Sequence, residues 1–177
     1  ARAAGTGVEI PVVSIPEIQG AGHLSPYRGQ TVTTEGVVTG VAFDGFFVQD
    51  PVGDGNADTS DGMWVFMGNF CNGCPAVGDH VQLTDRVDEF IPGGAGTGNL
   101  STTDMAFPNL TALSSGNPLP APVVIGRSGR IAPNVVTISE DELPVNLQDD
   151  PGVFNPDEDG IDFYESLEGM LVTVEDA

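Results

Sequence analysis

The sequence has no lysine, and all five of its basic residues are arginine. Against them stand 26 Asp and Glu residues, which give a formal net charge of -21. A chain with this charge repels phosphate backbones and anionic lipid, so we expect no tight, purely electrostatic binding to either. The apolar runs are far shorter than the ~20 residues that cross a bilayer as a helix, so we predict no membrane insertion.

Histidine and cysteine are also scarce, with two residues of each. The cysteines form the motif Cys71-Asn-Gly-Cys74, with no second pair and no βαβ pattern around it. His23 and His80 add few ligands, so a zinc site is poorly supplied. A local disulfide between Cys71 and Cys74 is the favoured interpretation, and a reduced or redox-active pair is the alternative.

What the sequence does contain predicts a β-rich globular fold. Hydrophobic residues make up 40% of the chain, enough for a core, which separates it from a disordered acidic tail. Gly (24) and Pro (14) argue against helix bundles. Alternating, β-branched segments with glycine turns such as Asp44-Gly45 indicate short strands and hence a small barrel or sandwich. The predicted strands are residues 31–41, 46–50, 63–67, 81–87 and 110–113.

The regions outside these strands divide the chain into segments. Residues 1–25 form an N-terminal extension with strand-like pieces at 8–15 and 18–23, and residues 26–125 form the barrel. Residues 126–165 form a Pro/Asp-rich connecting segment, and residues 166–177 form a final strand. This strand repeats the Gly, Val, Thr and Glu spacing of residues 29–35. The similarity either arises by chance or indicates that the strand opens a second, truncated module. We expect a fragment of a longer protein with a processed N-terminus.

Several motifs resemble the N-terminal part of bacterial extracellular nucleases. They are Glu17-Ile-Gln-Gly20, Gly22-His-Leu-Ser-Pro26, Gly29-Gln-Thr-Val32, Gly45-Phe-Phe-Val-Gln-Asp-Pro51, Ser114-Ser-Gly-Asn-Pro-Leu-Pro120 and Asp159-Gly-Ile-Asp-Phe-Tyr. The resemblance implies an OB-fold-like module that precedes a divalent-metal endonuclease/exonuclease/phosphatase domain in a secreted bacterial protein. Residues 68–75 cannot form the usual helix between the third and fourth strands. The expected fold is therefore all-β, an OB-fold-like small Greek-key barrel that lacks this helix and carries a Pro-rich extension.

One polar loop concentrates oxygen ligands of the kind that calcium prefers. Its candidate ligands are Asp50, Asp54, Asn56, Asp58 and Asp61. It is not an EF-hand, because the sixth position is Thr59 and the twelfth is Val65. A solvated Asp/Asn/Gly turn is the alternative interpretation. A second, weaker candidate loop contains Asn155, Asp157 and Asp159.

OB folds bind single strands through aromatic platforms and a basic groove. Here the candidate ligand-binding residues are Phe47 and Trp64, with Phe47 and Gln49 on the opposite face of the strand from Phe46 and Val48. Only Arg28 and Arg86 supply basic charge in the barrel, so any binding of single-stranded or double-stranded DNA or RNA is weak.

These observations predict a non-catalytic accessory module of a secreted nuclease. It positions nucleic acid or docks on a downstream catalytic domain of the same chain, and we expect no enzymatic activity from this fragment. The alternative is a calcium-stabilised extracellular interaction or adhesion module that binds glycan or protein.

Overall fold

A computed structural model describes residues 9–71, 73–133 and 154–175. Strands dominate these ranges, and the two helices are short. The elements are α1 (Ile15–Gln19), β1 (Thr31–Val41), β2 (Gly45–Gln49), β3 (Gly62–Phe66), β4 (His80–Phe90), β5 (Thr102–Ala106), β6 (Asn109–Ser114), β7 (Val123–Ile125), α2 (Gly160–Glu165) and β8 (Val172–Val174). Neither helix is long and apolar enough to cross a membrane.

Five strands close into a barrel. β1, β2 and β3 form an antiparallel meander, β3 pairs parallel with β5, and β5 pairs antiparallel with β4. The long strand β4 then returns to β1, from Thr31 opposite Arg86 to Val37 opposite His80, which closes the cylinder. The order β1-β2-β3-β5-β4 is that of an OB fold. The predicted all-β, OB-fold-like barrel is confirmed.

The fifth barrel strand is not the one that the sequence pattern indicated. The glycine-rich loop after β4 leads to β5, and the predicted strand at residues 110–113 is β6, which pairs with the first half of β4. The prediction missed β5 because its sequence, Thr-Thr-Asp-Met-Ala, is largely polar. Pairing between two neighbouring strands, rather than a strong apolar alternation, places these residues in the sheet.

The N-terminal extension closes one end of the barrel with a helix. The prediction of strand-like structure at residues 18–23 is wrong, because α1 begins at Ile15 and includes the first residues of this range. Pro16 stands in its first turn, and the Glu17 carboxylate accepts hydrogen bonds from the Ser14 backbone N–H (3.0 Å) and hydroxyl (2.7 Å). Ile15 and Ile18 are fully buried in the barrel core.

The core follows from alternation along the strands. Inward-facing residues of every barrel strand are fully buried, including Phe46, Val48, Met63, Val65, Leu83 and Met105. Gly36 makes room for α1, because a Cβ atom there would lie 2.9 Å from Ile15 Cδ1 and 2.6 Å from Val48 Cγ2. The described residues between β3 and β4 contain no helix, and Cys71 is joined to Cys74 by a disulfide.

The C-terminal segment returns to the barrel. Backbone atoms of Gly169 approach Gly62 at the start of β3 so closely that a Cβ atom on Gly62 would lie 2.4 Å from the Gly169 carbonyl carbon. β8 does not join the barrel and pairs in parallel with β7. Residues 134–153 of the predicted connecting segment, residues 1–8 of the extension and residues 176–177 lie outside the described ranges.

Candidate functional site

Four strands place a row of side chains on the outer surface of the barrel. Phe47 of β2 lies opposite Trp64 of β3, Trp64 lies beside Asp104 of β5, and Asp104 lies opposite Asp88 of β4. Side chains at the same register position share one face of a sheet. The row therefore joins two aromatic rings to two carboxylates across the sheet.

A cleft of about 630 Å³ opens beside this row. Its floor is the sheet, and the glycine-rich loop after β4 forms one wall. The lining residues are Asp44, Trp64, Phe66, Asp88, Glu89, Phe90, Ile91, Gly94, Ala95, Asp104, Ala106 and Phe107. This combination of aromatic rings and carboxylates is the chemically distinctive surface of the barrel.

Trp64 is held in place from two sides. Its ring centroid lies 4.6 Å from that of Phe47, which is 38% exposed. Gly45 lies beneath the indole, because a Cβ atom there would approach Trp64 Cζ2 to 2.5 Å. The contact fixes the orientation of the ring while one side remains available to the cleft.

A second aromatic pair also lines the cleft. Phe66 and Phe107 pack edge to face with centroids 5.4 Å apart. Phe107 is 63% exposed and has a φ of 59°, a left-handed conformation that is unfavourable for a bulky residue. The Phe107 N–H donates to the Phe66 carbonyl at 2.9 Å, which holds the residue in this position.

Asp104 is the buried charged group of the cleft. It is only 5% exposed, and its carboxylate accepts no hydrogen bond from the described residues. Burial, followed by the negative charges of Asp88, Glu89 and Asp85, raises the pKa of Asp104 to about 6. Asp104 is nevertheless predominantly ionised at neutral pH, in a site where its charge has no partner.

Two of the other three acidic residues of the lining are partly compensated. Asp88 accepts a hydrogen bond from the Arg86 guanidinium at 2.6 Å, and both side chains are about half exposed. Glu89 lines the cleft, but its carboxylate accepts from the Ser25 N–H (2.7 Å) and the Thr103 hydroxyl (3.1 Å). Arg86 and Arg28, the basic residues predicted to bind ligand, do not line the cleft.

The sequence identified Phe47 and Trp64 as candidates but missed Asp104. Alternation along β2 and β3 is visible in the sequence, and it places Phe47 outside and Phe46 inside, as the structure shows. The neighbourhood of Asp104 depends instead on the register of β5 between β3 and β4. Because β5 was not predicted as a strand, the sequence around Asp104 did not indicate that this residue lies in a sheet.

The predicted calcium loop between β2 and β3 uses several of its acceptors for hydrogen bonds within the loop. Asp50 Oδ1 accepts from the Val52 and Gly53 N–H groups at 2.9 and 3.0 Å. The Asp54 carboxylate accepts from the Asn56 N–H and the Thr59 hydroxyl. The described residues contain no group of three or more His, Cys, Asp or Glu side chains arranged for a metal ion. These bonds are those of an Asp/Asn turn.

The second predicted loop is organised around α2. Asp159 is the N-cap of this helix and accepts from the Ile161 N–H at 2.9 Å. The Asn155 side chain donates to Glu158, and the Asn155 N–H donates to Asp162 at 2.6 Å. Asp157 is exposed. The loop therefore has a structural role in starting the helix.

A second polar cluster, which the sequence did not indicate, joins α2 to the barrel. The buried His23 Nε2 lies 2.7 Å from Asp162 Oδ1, and its Nδ1 lies 3.4 Å from Glu165 Oε2. Burial lowers the pKa of His23, but Glu165 and Asp162 outweigh this effect and raise it. Glu168 Oε1 accepts from the Thr103 N–H at 3.0 Å and from Gln19 at 3.3 Å. These contacts attach the C-terminal segment to α1 and β5.

The fold and cleft together define a small closed β-barrel of the OB-fold type with an aromatic, acidic outer face. A family model described as "Domain of unknown function (DUF8508)" matches residues 124–177, under a third of the chain. That range contains α2 and β8 and lies after the last barrel strand. No curated protein matches the chain.

Proposed function

We propose that this chain is a non-catalytic accessory module of a secreted, divalent-metal-dependent nuclease, and that it acts by docking on a protein domain. The single observation that carries this proposal is the cleft, whose aromatic rings are accompanied only by carboxylates among its charged lining residues. A groove for naked nucleic acid needs basic groups along the phosphate path. Docking on the catalytic domain therefore agrees better with this surface than positioning of DNA or RNA.

The resemblance of the motifs to extracellular nucleases supports the nuclease context and the secreted, bacterial location. The pair formed by the exposed Phe47 and the half-buried Trp64 supports a binding role, since aromatic residues are enriched at the centres of protein interfaces. Ser25 and His23 are buried, and their side chains contact the Ile18 carbonyl and Asp162, respectively. These positions support a module that supplies no catalytic nucleophile.

The first test determines whether the natural reading frame encodes a metal-dependent phosphodiesterase domain after this chain and whether the two bind each other. We expect calorimetry to detect binding between the separate polypeptides, and we expect Trp64→Ala to weaken it by roughly tenfold, as for an interface anchor. Phe70→Ala, which removes an exposed ring outside the cleft, is the matched control.

Binding to a labelled single strand of about 20 nucleotides at about 50 mM salt provides the opposing measurement. We expect only weak, non-specific binding, because the surface has few basic residues. A submicromolar complex that depends on Trp64 would contradict docking and favour the positioning of nucleic acid. A reading frame without a nuclease domain would favour the alternative, an extracellular interaction module, for which the same exposed aromatic surface is suited to protein or glycan.

A further inference from the structure

The cleft has a charge pattern that specifies the chemistry of its ligand. Its described lining contains four acidic residues and no Lys, Arg or His. Building on the proposed docking function, we propose that the cleft binds a cationic side chain, with arginine preferred, presented by a peptide segment of the partner protein.

The charge of Asp104 has no partner among the described residues. A carboxylate that is 5% exposed is costly unless it is hydrogen-bonded or paired, and the described residues offer it neither. Asp88 lies directly opposite Asp104 in the antiparallel pair, where like charges destabilise the sheet. Arg86 compensates Asp88 from outside the cleft. A cation in the cleft would supply what Asp104 lacks.

An aromatic surface lies beside these carboxylates. Trp64 lies next to Asp104 in register, and the rings of Phe66 and Phe107 complete the wall. Cations are attracted to the faces of aromatic rings, most strongly to that of tryptophan. A planar guanidinium can stack on a ring and direct N–H groups towards a carboxylate at its edge. The neighbouring positions of Trp64 and Asp104 match both contacts.

The backbone conformation of Phe107 also favours a binding surface here. A left-handed phenylalanine is unfavourable, and such residues concentrate where a binding surface requires them. Gly68 accommodates its ring, because a Cβ atom on Gly68 would approach Phe107 Cε1 to 3.0 Å. The fold thus keeps an exposed ring at the rim of the cleft although its conformation is costly.

The charge of the cleft also favours a cationic side chain over a nucleic acid or a neutral sugar as the ligand. A phosphodiester would be repelled by the acidic lining and by the net charge of -21. A neutral sugar could stack on Trp64, but it would leave the charge of Asp104 uncompensated. A cationic side chain satisfies both parts of the cleft, and the field of the whole molecule attracts it.

The test compares a blocked, fluorescent Gly/Ser peptide containing arginine with the same peptide containing citrulline, which keeps the shape but loses the charge. We expect the arginine peptide to bind about tenfold more tightly at low salt. Asp104→Asn should remove roughly that tenfold, and Trp64→Leu should weaken binding about fivefold. Circular dichroism verifies that both variants fold.

Two matched variants separate the cleft from general electrostatics. Glu9→Gln makes the same charge change at an exposed residue outside the cleft, and Phe70→Leu makes a comparable change to an exposed ring. Both should stay within about twofold of the wild type. Equal affinity for arginine and citrulline peptides, or equal losses in Glu9→Gln and Asp104→Asn, would overturn the proposal. Displacement of the peptide by an oligonucleotide or a neutral oligosaccharide at lower concentration would also overturn it.

The outcome is distinguishable from that of the proposed function. If the arginine peptide binds through Asp104 while no downstream domain docks, the cation-binding cleft stands and the proposed docking function fails. If the downstream domain docks but is insensitive to Asp104→Asn, the docking function stands and the cationic ligand is wrong. Competition by free arginine methyl ester and spermidine shows whether a small cation suffices without a peptide; stronger binding of these than of the peptide would contradict a protein partner.

Discussion

Glu168 is the residue at which the balance between burial and charge is most consequential for stability. Its carboxyl group lies where the C-terminal segment contacts the barrel, and it accepts from the Thr103 N–H and from Gln19. Burial, and then the charge of Glu165, raise its pKa to about 8. The hydrogen bonds lower this pKa but do not outweigh burial. Near neutral pH the folded protein therefore keeps a proton on Glu168 that the unfolded chain has released.

This proton uptake gives a pH-dependent prediction for Glu168→Gln. Because the folded pKa is raised from 4.5 to about 8, wild-type stability falls as the pH rises through that window. Glutamine keeps the acceptor oxygen but cannot ionise. We expect Glu168→Gln to leave the free energy of unfolding nearly unchanged at pH 5 and to raise it by about 2 kcal/mol at pH 9, after allowance for relaxation around the charge.

Urea denaturation at the two pH values measures this difference. Glu158→Gln, at an exposed position, is the control and should show the pH dependence of the wild type. If the free energy of unfolding of Glu168→Gln depends on pH as that of the wild type does, then Glu168 ionises in the folded state without an energetic cost.

At the scale of single elements, local sequence signals predict where most of the strands lie along the chain, but they predict few of the pairings between strands. The alternation in β1 and β4 predicted both strands, and Asp44-Gly45 predicted the hairpin between β1 and β2. The helix α1 also had a local signal, the Ser14–Glu17 spacing with Pro16, but its five residues are too few for an apolar period. β5 had no such signal, and the cleft depends on it. Non-local pairing therefore decides the position of Asp104, which the sequence alone could not predict.

The loop between β2 and β3 is the element on which the calcium prediction depends. Burial raises the pKa of Asp61, and its Oδ1 is buried without a hydrogen-bond partner in the described chain. If calcium binds here, millimolar calcium should raise the melting temperature of the wild type by several degrees, through binding to the folded state alone. Asp54→Asn keeps the acceptor for Thr59 but lowers the charge, and it should reduce that rise.

The shift on adding calcium is the measured quantity, because a substitution of Asp54 that weakens the turn hydrogen bonds also lowers stability by itself. Asp157→Asn, in the second loop, tests whether that loop contributes. An unchanged melting temperature in calcium relative to EDTA would support the plain Asp/Asn turn.

At the scale of the whole molecule, the net charge of -21 outweighs the few ion pairs of the described chain. The pair Arg86–Asp88 is half exposed and contributes little. The summed repulsion among the carboxylates acts over the surface and opposes the compact state. The same field attracts cations towards the cleft.

Salt should therefore stabilise this protein. We expect NaCl, raised from about 20 mM to about 0.5 M in EDTA, to increase the melting temperature by several degrees, because screening removes more repulsion than attraction. Calorimetry measures the shift, and sucrose at matched osmolality is the control for general solvent exclusion. A melting temperature that falls with NaCl would mean that attractive pairs dominate the surface.

The contact between the two ends of the described chain has a consequence for the order of folding. Gln19 in α1 hydrogen-bonds Glu168 across a sequence separation of 149 residues, and the Ser60 hydroxyl reaches the carbonyl of Glu168 across 108. Such distant contacts form late, because their loop-closure entropy must be overcome before they stabilise the chain. During synthesis, the strands β1 to β5 emerge from the ribosome long before Glu168. The barrel and its acidic cleft can therefore assemble cotranslationally, whereas the contacts of Gln19 and Ser60 with the C-terminal segment form only after Glu168 emerges.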